Sequence, residues 1–153
     1  MKKLLQTVLA LTLLLALAGC GGGGKGYQTG DVQAMAKAGA FSEELEELDG
    51  EVAFALYGLE NCGLKPEELT DCAVLRSAGA TCEEAAVLVL AGADQAETAE
   101  GALKDYVQRQ IEANTDYRPA EIPKLENALI SRKENTLLLV VADDLDAAKK
   151  AVE

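Results

Sequence analysis

Three cysteines stand ten residues apart, Cys62, Cys72 and Cys82, in a chain of 153 residues that has no histidine. Without His there are no Cys–His or Ser–His nucleophile pairs, no His general acid or base, and no His-ligated metal. A Cys-only zinc site would need a fourth ligand and closer pairs. The three thiols are therefore expected to be free, or to form one disulfide with one thiol left over. The three serines, Ser42, Ser77 and Ser131, lack a lysine three residues on, so Ser-x-x-Lys chemistry has no signature here. Carboxylates are plentiful, at Glu43-Glu44-Glu46-Glu47, Glu67-Glu68 and Asp143-Asp144-Asp146. None has the spacing of a calcium loop, which sets oxygen ligands at positions 1, 3 and 5 with a Gly at 6. They read as solvated helix faces and caps. Paired carboxylates can hydrolyse glycosides, but sugar pockets favour aromatic walls, and this chain has four Tyr, two Phe and no Trp. No catalytic, metal-binding or cofactor-binding residue is assigned, and no cofactor is expected.

The remaining cysteine, Cys20, has a different setting. Met1-Lys2-Lys3 is a short positive segment, and Leu4 to Ala18 is an apolar run broken only by Gln6, Thr7 and Thr12. The run is shorter than the roughly 20 residues of a membrane-spanning helix and has the shape of a secretory signal. It ends in Leu17-Ala18-Gly19-Cys20, which resembles the bacterial lipobox. That resemblance implies cleavage before Cys20 and a diacylglyceryl group on its sulfur. Two acyl chains meet the double-signal requirement for stable anchoring. Gly21 to Gly24, Lys25 and Gly26 then read as a flexible tether. A phosphate-cradling loop is the alternative, but no strand precedes it and Lys25 lacks the Walker spacing. The expected organisation is a lipoprotein signal peptide over 1–19, a lipidated cysteine and Gly-rich tether over 20–30, and a single domain over 31–153.

Fourteen basic and 26 acidic residues give a net charge of −12. A nucleic-acid binder needs a positive footprint to displace counterions, so that class is excluded. Within the domain, Asp31 can cap a helix with Val32, Met35 and Ala36 on one face. Ser42 can cap a second over Glu43 to Asp49, and a third follows over Glu51 to Leu59. Alternation over Cys72 to Arg76 predicts a strand, and Ala78 to Ala80 a turn that would set Cys72 opposite residue 86. The run Ala85 to Ala91 reads as a buried strand, although Thr81 and Glu84 have capping-box spacing. Asp94 is expected to cap the longest helix, Gln95 to Asn114, with Ala99, Leu103, Tyr106, Val107 and Ile111 along one face. Pro119 and Pro123 mark a loop. Strands over Asn127 to Arg132 and Thr136 to Ala142 precede a last helix with Leu145, Ala148 and Val152. The expected fold is α+β: N-terminal helices, then two ββα units forming a four-stranded, mainly antiparallel sheet with helices on one face.

The order of Phe41 to Leu48, Leu56-Tyr57-Gly58-Leu59, Gly79 to Leu90, Arg109-Gln110, Tyr117-Arg118-Pro119, Pro123 to Ala128 and Leu138 to Asp144, behind a lipobox and Gly tether, resembles a family of small lipoproteins. That family comes from Gram-positive, largely anaerobic gut bacteria and is built around one domain of unknown function. The resemblance supports the fold and the address and implies no activity or site residues. Cys62, Cys72 and Cys82 fall outside the shared pattern. The expected function is a non-catalytic domain, lipid-anchored through Cys20 on the extracytoplasmic face of the cell membrane, that binds a protein or envelope partner. The alternatives are a small-ligand or cation-binding accessory lipoprotein, and an envelope hydrolase.

Overall fold

The computed structural model describes residues 26–153. The expected signal peptide, Cys20 and the expected tether as far as Lys25 lie outside the described residues. In chain order the elements are α1 (Asp31–Lys37), β1 (Glu46–Leu48), α2 (Gly50–Leu56), β2 (Leu69–Arg76), β3 (Glu84–Leu90), α3 (Ala93–Asn114), α4 (Ile122–Glu126), β4 (Leu129–Lys133), β5 (Thr136–Val141) and α5 (Leu145–Ala151). The fold is α+β. All strand pairs are antiparallel, in the order β1-β2-β3-β5-β4.

The sheet has five strands rather than four, because Glu46–Leu48 is a strand and not part of a helix. Leu45 and Leu48 are three apart and would share one face of a helix. In the fold they go to opposite sides of the sheet, which is the period of a strand. Ser42 does not cap the helix expected over 43–49. Ser42 donates to Glu83, while Asp49 accepts the Val52 N–H at 2.9 Å and starts α2.

Helices cover both faces of the sheet, not one. Along β5, Leu137, Leu139 and Val141 join α2 and α3 on one side, whereas Leu138 and Val140 join α1 and α5 on the other. β3 divides likewise, with Ala86, Leu88 and Leu90 against Ala85 and Val87. This two-sided burial explains why both strands read as continuous apolar runs. On α3, Ala96, Ala99 and Ala102 let the helix lie close to the sheet beside Leu103, Tyr106 and Val107. The stretch from Pro119 is a 3-10 turn leading into α4, where a loop was expected.

The first described residues are fixed at the β4–β5 turn. The Tyr27 N–H donates to Thr136 Oγ1 at 2.8 Å, and its hydroxyl donates to Ser131 Oγ at 2.6 Å. Gly26 lies so close that a Cβ would fall 2.7 Å from Thr136 Oγ1. The chain thus enters at the end of the sheet holding Thr136 and Val89. The β2–β3 hairpin and the start of β3 lie at the other end, with Glu84 opposite Val141. At about 3.3 Å per residue, the length of β5 separates the two ends by roughly 17 Å.

Candidate functional site

Strand alternation sends the consecutive acids at the start of β3 to opposite faces. Glu84 turns toward α2 and α3, and Glu83 toward Ser42 and α4. Both are buried, at 2% and 0% exposure. A carboxylate can lie there only if it is bonded and paired.

Glu84 Oε1 accepts from the Tyr57 hydroxyl, and Oε2 accepts from the Tyr106 hydroxyl at 2.7 Å. Arg76 Nε lies 3.3 Å from Glu84 Oε2 and donates to the Tyr106 hydroxyl at 3.3 Å. The two tyrosine rings meet edge to face with centroids 5.0 Å apart. Burial raises the Glu84 carboxyl above its ordinary value, against the pull of Tyr57, Tyr106 and Arg76. Burial and the Glu84 charge raise both tyrosines, so they stay protonated donors. Burial works against the charge on Arg76, but Tyr106 and Glu84 outweigh it and hold the guanidinium charged.

Glu83 Oε1 accepts from Ser42 Oγ at 2.6 Å and from Lys124 Nζ at 2.7 Å, and Oε2 accepts the Ser42 N–H at 2.8 Å. Lys124 also reaches Glu121 at 3.2 Å and Asp143 at 3.7 Å. Burial works against its charge, and Glu83 and Glu121 more than offset it. Glu43 accepts from Ser77 and Thr81, each at 2.6 Å, and these bonds lower its carboxyl. The other oxygen of Glu121 accepts the Cys82 N–H at 2.9 Å. These groups form one polar cluster at the end of the sheet away from Gly26.

Into this cluster opens a cleft of about 150 Å³, lined in part by Arg76, Cys82, Gln110, Asn114 and Arg118. Arg118 Nη1 donates to the Thr81 carbonyl at 3.1 Å. Burial raises the Cys82 thiol, and Arg118 beside it pulls only partly back, so the thiol stays protonated and weakly nucleophilic. Tyr117, 76% exposed, stands next to Arg118 in the chain. A larger, shallower groove of about 550 Å³ lies elsewhere, between the start of α2 and the start of β2. It is lined by Glu51, Phe54, Pro66, Leu69 and Cys72 among others.

Cys62, Cys72 and Cys82 are free thiols. Cys72 stands opposite Leu88 rather than residue 86, because the connection from Arg76 to Glu84 is longer than a tight turn. Ser131 serves Tyr27, and Asp144 caps α5 through the Ala147 N–H. Among the described residues no three Cys, Asp or Glu side chains gather as metal ligands.

Sequence reasoning missed the whole cluster: Arg76, Glu83, Glu84, Tyr57, Tyr106, Arg118 and Lys124. A usable signal was present. Two acids open an otherwise apolar strand buried on both faces, and such acids require partners. Arg76, at the end of the preceding strand, was the natural candidate.

No family model matches the chain, and it has no significant match among curated proteins or solved structures. The site must therefore be read from its own geometry.

Proposed function

We propose that this chain is a lipid-anchored extracytoplasmic binding domain that carries out no covalent step and holds a protein or envelope partner at the polar end of its sheet. One observation carries the reading. The reactive groups at that end are committed to one another: Glu84 to Tyr57, Tyr106 and Arg76, and Glu83 to Ser42 and Lys124. What they leave open is a polar concavity suited to recognition. Its position supports the same reading. The tether enters at the opposite end, beside Thr136. With a diacylglyceryl group on Cys20, the cleft and Tyr117 would lie at the end of the domain remote from the attachment point. The lipobox and the resemblance to small Gram-positive lipoproteins support that address.

A second reading, an accessory protein for a small apolar ligand, draws on the groove beside Phe54 and Leu69. Photo-crosslinking in native membranes separates the two. A photoreactive phenylalanine at position 117 should give one discrete adduct, and the same probe at Glu134, near the tether, should give none. No adduct at 117, or equal yields at both positions, would count against the proposal.

A further inference from the structure

We infer that the cleft beside the β2–β3 hairpin binds a carboxylate group, gripped between the Arg76 and Arg118 guanidinium forks. The inference rests on the reading of the domain as a binding module and names the chemistry its partner presents.

Arg76 meets Glu84 and Tyr106 through Nε alone. Its two terminal nitrogens have no protein acceptor among the described residues. Arg118 is half-buried and gives one bond to a backbone carbonyl. No carboxylate among the described residues lies within ion-pair distance of it, in a chain with 26 acids. The Gln110 side-chain amide makes no bond to the described residues. Asn114 uses only its Nδ2, on the Gln110 carbonyl at 2.8 Å. The Arg76 and Arg118 terminal nitrogens and the Gln110 amide therefore bring donors to the cleft that are not spent on the protein, while Asn114 brings a free acceptor, Oδ1.

The acids around it are bonded within the protein. Glu83 is paired with Lys124, Glu84 with Arg76, and Glu121 with Lys124 and the Cys82 N–H. Arg118, which lies over the Tyr117 ring at 5.2 Å, is the cation lining the cleft that has no carboxylate partner among the described residues. Glu83 and Glu121 share the one charge of Lys124, and Glu43 is held only by hydroxyls, so carboxylate charge remains in excess around the cleft and disfavours a dianion such as phosphate more strongly than a monoanion. Planar guanidinium forks match the two oxygens of a carboxylate. At about 150 Å³ the cleft admits a carboxylate with a short stem, well below the size of a drug-like ligand site. Both a small free acid and the C-terminus of a peptide carry such a group.

The test uses the full-length lipidated chain in detergent micelles, with arginine side-chain ¹⁵N resonances as the readout. Acetate, N-acetylalanine, N-acetylalanine amide and inorganic phosphate are the probes. Acetate or N-acetylalanine should shift the Arg76 and Arg118 resonances saturably and slow alkylation of Cys82, while the amide does neither. Binding by N-acetylalanine alone would assign the site to peptide termini; binding by both would admit free acids. Arg118→Gln should weaken binding by about tenfold or more, the range for a hydrogen bond to a charged group. Gln110→Glu, which disturbs no bond in the protein, should do the same by placing a carboxylate in the cleft. Absence of saturable shifts with either carboxylate, tighter binding of phosphate, or full affinity in both variants would overturn the inference. A surviving adduct at position 117 would then leave the partner reading intact.

Discussion

Tyr57→Phe isolates the bond that lets Glu84 stay buried. The phenyl ring keeps its place in the core and its edge-to-face contact with Tyr106; only the hydroxyl is lost. Tyr57 is fully buried and Glu84 nearly so, so water has little access to Glu84 Oε1 once the donor is gone. A hydrogen bond to a charged group contributes about 1.5–3 kcal/mol net, and a buried acceptor left without a donor loses its share in full. A loss of about 2 kcal/mol corresponds to roughly 8 °C in Tm for a domain of this size. Tyr106→Phe should cost less, because Arg76 Nε still faces Glu84 Oε2. The Tyr57→Phe penalty should shrink in acid, where Glu84 is protonated and the bond joins neutral groups worth about 0.5–1.5 kcal/mol. Urea titrations of the parent and both variants at neutral and acidic pH measure all three effects. A Tyr57→Phe loss under about 0.5 kcal/mol at neutral pH, or a larger loss for Tyr106→Phe, would refute the account of how Glu84 is held.

Four further outcomes are expected. Burial raises Glu84 in the fold, while in the unfolded chain it ionises at its ordinary value. Its contribution to stability is therefore complete below the ordinary carboxylate range and is lost as pH rises through the folded value. In Glu84→Gln that decline should vanish, so the stability difference between variant and parent should move in the variant's favour from acid to neutral pH. Leu139→Ala, at a fully buried position on β5, should cost about 2–5 kcal/mol by denaturant unfolding; a loss under about 1 kcal/mol would mean this strand is not core. Cys20→Ser should abolish incorporation of a fatty-acid probe and leave mostly precursor, whereas unchanged labelling would remove the anchor from the account. Because the three distal thiols are unpaired, replacing all three with Ala should leave the melt close to the parent's and indifferent to reductant. A disulfide-dependent domain would instead lose about 2–5 kcal/mol.

The parts of the fold that were readable in the sequence rest on local pattern. The 3.6-residue spacing of Ala99, Leu103, Tyr106 and Val107 located α3, and the apolar runs at 85–91 and 136–142 located β3 and β5. Those runs also held the correction to the layering. A strand that is apolar at every position has two buried faces and needs a helix layer on each, which one layer of helices cannot provide. The segment 43–49 misled because its four Glu and two Leu suit a helix in isolation. Its outcome is decided by long-range partners, with Ser42 drawn to Glu83 and Glu43 to Ser77 and Thr81. The cluster was hidden for the same reason. Tyr57, Arg76, Glu84 and Tyr106 come from four separate elements, and no short spacing joins them. Arg118 and Lys124 fell in a stretch read as loop because of its prolines, and α4 there is what brings Lys124 to Glu83.

The three native thiols offer the most direct test of where the partner sits. Cys82 lines the polar cleft, Cys72 the apolar groove, and Cys62 is exposed on a 3-10 turn between α2 and β2. Their alkylation rates can be read residue by residue by mass spectrometry, in native membranes and in purified protein. Binding at the polar end predicts that Cys82 alone is slowed in membranes, while Cys62 and Cys72 react at the same rates in both. Protection of Cys72 with Cys82 unchanged, or no difference at any thiol, would contradict it.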